Sequence, residues 1–227
     1  MKITSRIIIF TIIALAIISV AVAGDKRIIL TVGEIIVAAE DTLAVLPVFI
    51  DSPLDSLAGV EVYFKIEKND FLYFASDDMR DDGLLIAADT TGTILSGWEW
   101  IGVSTLDNTL YDLKISAMAD WPDKKRQPPF PPQRGGKLVD LLFRVDWKNS
   151  PVGDSVWVVK IVPEKSGFSD PLGNTIGIVT SVKRVCTEYA GDSCLVWKNR
   201  RVGVLDTAAV RFKDGSIKLA DSLRIKP

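Results

Sequence analysis

Leu57-Ala58-Gly59-Val60-Glu61-Val62-Tyr63-Phe64-Lys65-Ile66 decides the fold. Val60, Val62, Phe64 and Ile66 recur at every second position, with Glu61, Tyr63 and Lys65 between them. Successive side chains of a strand point to opposite sides, so this stretch is a strand with one dry face and one wet face. A slip of one residue would turn the whole apolar set into water, so the register is well specified. The dry face needs a second layer to cover it.

The flanking sequence supplies more strands. Upstream, residues 28–32 and the run Asp41-Thr42-Leu43-Ala44-Val45-Leu46-Pro47-Val48-Phe49-Ile50 read as two of them. Pro47 has no N–H to give a ladder and predicts an edge or a bulge. Asp51-Ser52-Pro53-Leu54-Asp55-Ser56 is turn chemistry. Downstream, Phe71-Leu72-Tyr73-Phe74 reads as a short strand, and Tyr111-Asp112-Leu113-Lys114-Ile115-Ser116-Ala117 alternates cleanly. Residues 136–146 and 156–162 continue the series, and 168–174 is loop chemistry. Val210-Arg211-Phe212-Lys213-Asp214-Gly215-Ser216-Ile217-Lys218-Leu219 reads as a hairpin with Asp-Gly at its tip, followed by a frayed tail. No internal repeat and no capped, periodic helix is visible. Short alternating runs split by Gly, Pro, Asp and Asn predict an all-β protein, a two-sheet antiparallel β-sandwich of jelly-roll kind.

Between these strands lie stretches with two readings each. Ser76-Asp77-Asp78-Met79-Arg80-Asp81-Asp82-Gly83 is either a calcium loop or a solvated charge run; its spacing does not match an EF-hand. Trp98 and Trp100, two apart in an extended segment, share a face. They form either an aromatic platform for sugar rings or a protein partner, or part of the core. The proline-dense stretch around 122–134 is a stiff surface loop or a Pro-rich recognition segment, and not an interdomain linker.

Cys186 and Cys194 are the only cysteines. They sit between the apolar runs 175–182 and 195–205 and read as a disulfide pinning the tip of an inserted hairpin at about 175–205. Closing so short a loop contributes roughly 2.5 kcal/mol in chain-entropy terms. A redox pair is the other reading, against which the spacing is not Cys-x-x-Cys.

Residues 1–23 read as an export signal. Lys2 and Arg6 precede an uncharged apolar run, and Ala21-Val22-Ala23 fits a small-x-small cleavage site with Gly24 as the new N-terminus. An uncleaved membrane anchor is the alternative, for which the run is short. Either way residues 24–227, read as a single domain, are expected in a secreted or extracytoplasmic setting, with the membrane met only through this segment.

Of the chain's 227 residues, 48% are hydrophobic and 25% charged, an ordinary globular balance. Lys plus Arg (27) nearly equals Asp plus Glu (29), which leaves no footprint for nucleic acid or an anionic membrane. Histidine is absent. That removes the commonest general base and metal ligand, and with them Ser-His-Asp and Cys-His catalysis and any His-built zinc site. No cofactor or metal site is expected.

Several of these stretches, in order, resemble the cohesin family of extracellular β-sandwich modules, related in fold to cellulose-binding modules. Asp41 to Val48 is similar to the family's second strand, Gly59 to Ile66 with Phe71 to its third, and Gly136-Lys137-Leu138-Val139-Asp140-Leu141-Leu142-Phe143-Arg144-Val145 to its sixth. Phe168 to Asn174 resembles the pre-terminal loop and Phe212 to Leu219 the closing hairpin. The family's Tyr-Asp-Pro is replaced by Ile66-Glu67-Lys68, and the Pro-rich loop and the pinned hairpin are extra.

The resemblance implies a cohesin-like, non-catalytic module that binds a dockerin-like protein, or a polysaccharide, on one open sheet face. Mapped by face, that surface would display Glu61, Tyr63, Lys65, Lys114, Ser116, Asp140, Leu142 and Arg144. Two other functions compete. A structural or adhesive envelope protein would use the hairpin and Pro-rich loop for assembly. A glycosidase without histidine would need paired carboxylates, for which Glu99, between the tryptophans, is the only candidate.

Overall fold

A computed structural model describes residues 27–38, 41–53, 55–75, 87–98, 100–105, 110–119, 130–149, 151 and 155–220. The stretch read as an export signal, the acidic stretch 76–83, Glu99, most of the proline-rich stretch and residues 221–227 lie outside these. The strands run β1 (Ile28–Val32), β2 (Glu34–Val37), β3 (Leu43–Ser52), β4 (Gly59–Ile66), β5 (Leu72–Phe74), β6 (Ala88–Asp89), β7 (Trp100–Thr105) and β8 (Asp112–Met118). They continue as β9 (Gln133–Val145), β10 (Val156–Ile161), β11 (Gly167–Ser169), β12 (Thr175–Ile176), β13 (Ile178–Ala190), β14 (Ser193–Leu205), β15 (Val210–Lys213) and β16 (Gly215–Leu219).

Two sheets form the body. One has the order β15-β1-β3-β9-β5, with β6 also on β9. The other runs β7-β8-β4-β10-β16-β2, with β11 and then β12 alongside the first residues of β4. The chain is therefore an all-β sandwich. The alternation of β4 holds: Val60, Val62, Phe64 and Ile66 are all buried, at 3%, 1%, 0% and 1% exposure. They meet Ala44, Leu46, Val48 and Ile50 of β3 and Leu141 and Phe143 of β9 in one apolar core. Phe74 and Phe143 stack at 4.5 Å, and Phe71 stacks on Trp157 at 4.9 Å. Aromatic pairs of this geometry add to plain area burial, about 0.5–1.5 kcal/mol each.

The two ends of the chain cross between the sheets together. β1 pairs in parallel with β15 in one sheet, and β2 in parallel with β16 in the other. The expected hairpin at 210–219 is thus not formed: Asp214 is a corner between sheets. Its carboxylate accepts the Ile161 amide at 2.9 Å, and Ser216 N–H donates to Gly33 O at 3.1 Å. A Cβ on Gly215 would stand 2.1 Å from that same carbonyl, so only glycine lets the two crossings touch. Asp-Gly here serves a close approach instead of a two-residue turn.

Pro47 is not on an edge strand, since β3 lies between β1 and β9. It sits just past the last β1 partner, Val48, and beside a register shift that leaves Leu138 as an extra residue in β9. Missing an N–H costs nothing where no neighbour asks for it. From the end of the proline-rich stretch, Phe130 is buried and bridges to Leu57 by two backbone hydrogen bonds of 2.7 and 2.9 Å. That end of the stretch is anchored in the core.

β13 and β14 form a separate two-stranded ribbon joined by the Cys186–Cys194 disulfide, whose Cα atoms are 5.7 Å apart. The bridge lies beside a bulge at Thr187. At its root Leu205 packs against the core of the sandwich.

Candidate binding face

The wet side of β4 is the centre of an open face. β8 runs antiparallel to it and sets Ser116 opposite Glu61, Lys114 opposite Tyr63, and Asp112 opposite Lys65. On the other side β10 sets Lys160 opposite Lys65. Directly opposed side chains on one sheet face interact, so β4 and β8 make a connected polar cluster. Lys114 Nζ lies 2.8 Å from Glu61 Oε2, and Ser116 Oγ donates to the same oxygen at 3.2 Å. Hydrogen bonding to Glu61 holds the Lys114 ammonium above its ordinary pKa, against the opposite pull of burial.

Tyr63 stands between two cations. Lys114 Nζ is 5.2 Å from its ring centroid and Lys165 Nζ 5.7 Å. Lys165 is placed by the short 3-10 turn Pro163–Lys165, with proline at its start. The residue after it, Ser166, is fully buried. Its hydroxyl accepts the Tyr63 amide at 3.0 Å and donates to Val162 O at 2.9 Å, while Val162 N–H donates to Tyr63 O at 2.8 Å. Both polar backbone groups of Tyr63 are thus held by the Val162–Ser166 segment, and cations over a tyrosine face are attracted by its quadrupole.

Beside Tyr63 lies a groove of about 360 Å³, lined by Gly59, Glu61, Trp100, Met118, Phe168 and Thr175 among others. Its floor is close-packed where β11 joins β4: a Cβ on Gly59 would fall 2.2 Å from Ser169 Oγ. Trp100 and Met118, paired across β7 and β8, are 40% and 37% exposed and form an apolar rim. The groove thus offers aromatic and thioether surface next to fixed charges.

The residues expected on one face fall on two. Glu61, Tyr63, Lys65, Lys114 and Ser116 come together as described. Asp140, Leu142 and Arg144 do not join them, because β9 pairs with β3 in the opposite sheet. Asp140 is engaged there by Lys137 Nζ at 2.6 Å. Alternation tells which side of a strand is wet, but not which sheet the strand joins.

The paired tryptophan platform also separates. The segment before Trp98 is a 3-10 turn, Ile94–Gly97, and Trp98 packs against the core while Trp100 opens β7 on the outer face. Lys160 and Lys165 were missed by sequence reasoning. Lys160 alternates outward from buried Val159 and Ile161 and was legible by that rule. Lys165 lies in a turn with no periodicity to mark it.

No family model matches the chain, and no curated protein sequence matches it. Similar solved structures exist. Many of them are cohesin modules. A type I cohesin of a cohesin–dockerin complex from Clostridium thermocellum is 9% identical, with 87% of this chain and 96% of that one covered at a TM-score of 0.47. A non-cellulosomal cohesin from the hyperthermophilic archaeon Archaeoglobus fulgidus is 12% identical over 87% and 94%, at 0.46. A type III cohesin module from a cell-surface anchoring scaffoldin of Ruminococcus flavefaciens is 11% identical over 86% and 89%, at 0.47.

Proposed function

We propose that the chain is an exported, non-catalytic binding module that takes a protein partner of dockerin type on the outer face of β4 and β8. The observation that carries this reading is Tyr63, fixed between Lys114 and Lys165 beside the groove rimmed by Trp100 and Met118. Rigid aromatic surface ringed by charges is the chemistry of a protein contact. Lys65, Lys114, Lys160 and Lys165 outnumber Glu61, Glu67 and Asp112 by one on and beside this face, which suits an acidic patch on the partner.

Among the described residues lining the groove, Glu61 is the one carboxylate, and Lys114 and Ser116 both hold it. The disulfide fits an oxidising compartment outside the cytoplasm. A polysaccharide stacked on Trp100 is the competing ligand on the same face.

Titration calorimetry against a panel of dockerin modules and soluble glycans tests the proposal. Binding to a dockerin that falls by about tenfold or more in Tyr63→Thr and Lys165→Ser is expected, as for a central aromatic and its charged neighbour. Binding to neither class, or dockerin binding untouched by both substitutions, would overturn it.

A further inference from the structure

The β13–β14 ribbon carries a charge pattern that its own folding does not need. Residues 178–205 hold five basic and two acidic residues, a net of +3 within a chain of net charge −2. The five cations occupy neighbouring rungs: Val182 opposite Arg201, Lys183 opposite Arg200, Arg184 opposite Asn199 and Val185 opposite Lys198. All five are exposed, and among the described residues none of them is in a salt bridge. Like charges facing each other across a ladder destabilise it. Surface charge that serves solubility alone is best interspersed in sign, which avoids that cost.

The ribbon is also open. Among the described residues neither β13 nor β14 has a second strand neighbour, so each leaves one row of backbone groups without a ladder partner. A lone two-stranded ribbon is marginal in water. Here the disulfide near the tip and the packed root at Leu205 hold it extended.

We propose that these basic rungs receive an extended acidic segment of another protein, added as a third strand along the ribbon. The register puts Lys183, Lys198 and Arg200 on one face and Arg184 and Arg201 on the other. A strand laid along an edge sends alternate side chains to both faces and meets both sets of cations. A planar anionic bilayer meets only one face. Docked tip-first, the ribbon would press Glu188 and Asp192 against that bilayer's charge. Trp197, with Arg184 5.5 Å from its ring centroid, adds apolar contact at the end of the basic rungs.

The test is fluorescence anisotropy of the purified chain with a labelled peptide in which pairs of glutamates alternate with pairs of threonines. Saturable binding is expected, weakened about tenfold in a Lys183→Thr/Arg200→Thr variant and likewise in Arg184→Thr/Arg201→Thr. Threonine keeps strand propensity, and unreduced mass spectra report whether the disulfide survives in each variant. The same peptide with alternate backbone amides methylated should lose binding, because a strand adds through its N–H groups. Lys148→Thr, exposed in the 3-10 turn Trp147–Asn149 after β9, should leave the affinity unchanged. Binding of phosphatidylglycerol vesicles without peptide binding overturns the proposal, as does a methylated peptide that binds equally well.

Discussion

Lys65 and Lys160 stand directly opposite each other on β4 and β10. Two like charges across a ladder repel, and the sandwich would be steadier without one of them. Lys160→Thr is therefore expected to raise unfolding stability by about 0.2–1 kcal/mol, read as a higher urea midpoint with unchanged slope. The same variant should bind an acidic partner less tightly. A lower midpoint would show that the free chain does not carry this repulsion.

Gly59 and Ser169 meet at the floor of the groove, where a methyl group at 59 would stand 2.2 Å from the Ser169 hydroxyl. Gly59→Ala should cost about 1–3 kcal/mol through overpacking. Ser169→Ala removes the clashing oxygen, so the double variant should recover much of that loss. Additive losses in a double-mutant cycle would mean that the strain at Gly59 lies elsewhere.

These contacts mark the limit of what the residue pattern carries. The period-two pattern of β4 placed Val60, Val62, Phe64 and Ile66 in the core because burial acts on each side chain locally. It could not place β9, since sheet membership depends on partners distant in sequence; Asp140, Leu142 and Arg144 were therefore grouped with the wrong sheet. Asp214-Gly215 reads as a hairpin tip until Gly33 is found against Gly215, a contact that sequence spacing does not encode. The Cys186–Cys194 pairing was legible because, with two cysteines, only one intramolecular pairing exists. Of the binding face, the outward residues of β4 and β8 were readable by alternation, while Lys165 arrives from a turn.

Reducing the disulfide, or replacing both cysteines by serine, should act on the ribbon alone. The loss of about 2.5 kcal/mol expected in chain-entropy terms falls on ribbon opening and not on the sandwich. Amide exchange should quicken through residues 178–205, with the amides of β4 and β9 unchanged. Equal quickening in β4 would show that ribbon and sandwich unfold as one unit.

The Lys114–Glu61 pair sets a pH dependence. The folded pKa of Lys114 lies above 10.5, the value it takes when unfolded, chiefly because of its hydrogen bond to Glu61. The pair's contribution is thus fully present below pH 10.5 and lost as pH rises through the folded value. Solvent screening at this partly exposed site keeps it below about 1 kcal/mol. Lys114→Met should remove that alkaline step from a stability–pH profile. A profile with the step intact in Lys114→Met would assign it to another group.

The most direct test of the central claim maps which sheet face meets the partner. The chain is titrated with a dockerin module that binds it, and backbone amide shifts are followed by NMR. Perturbations centred on Glu61, Tyr63, Lys65, Lys114 and Ser116 are predicted, with Asp140, Leu142 and Arg144 silent. Shifts centred on those last three residues, or no dockerin bound at all, would contradict the account.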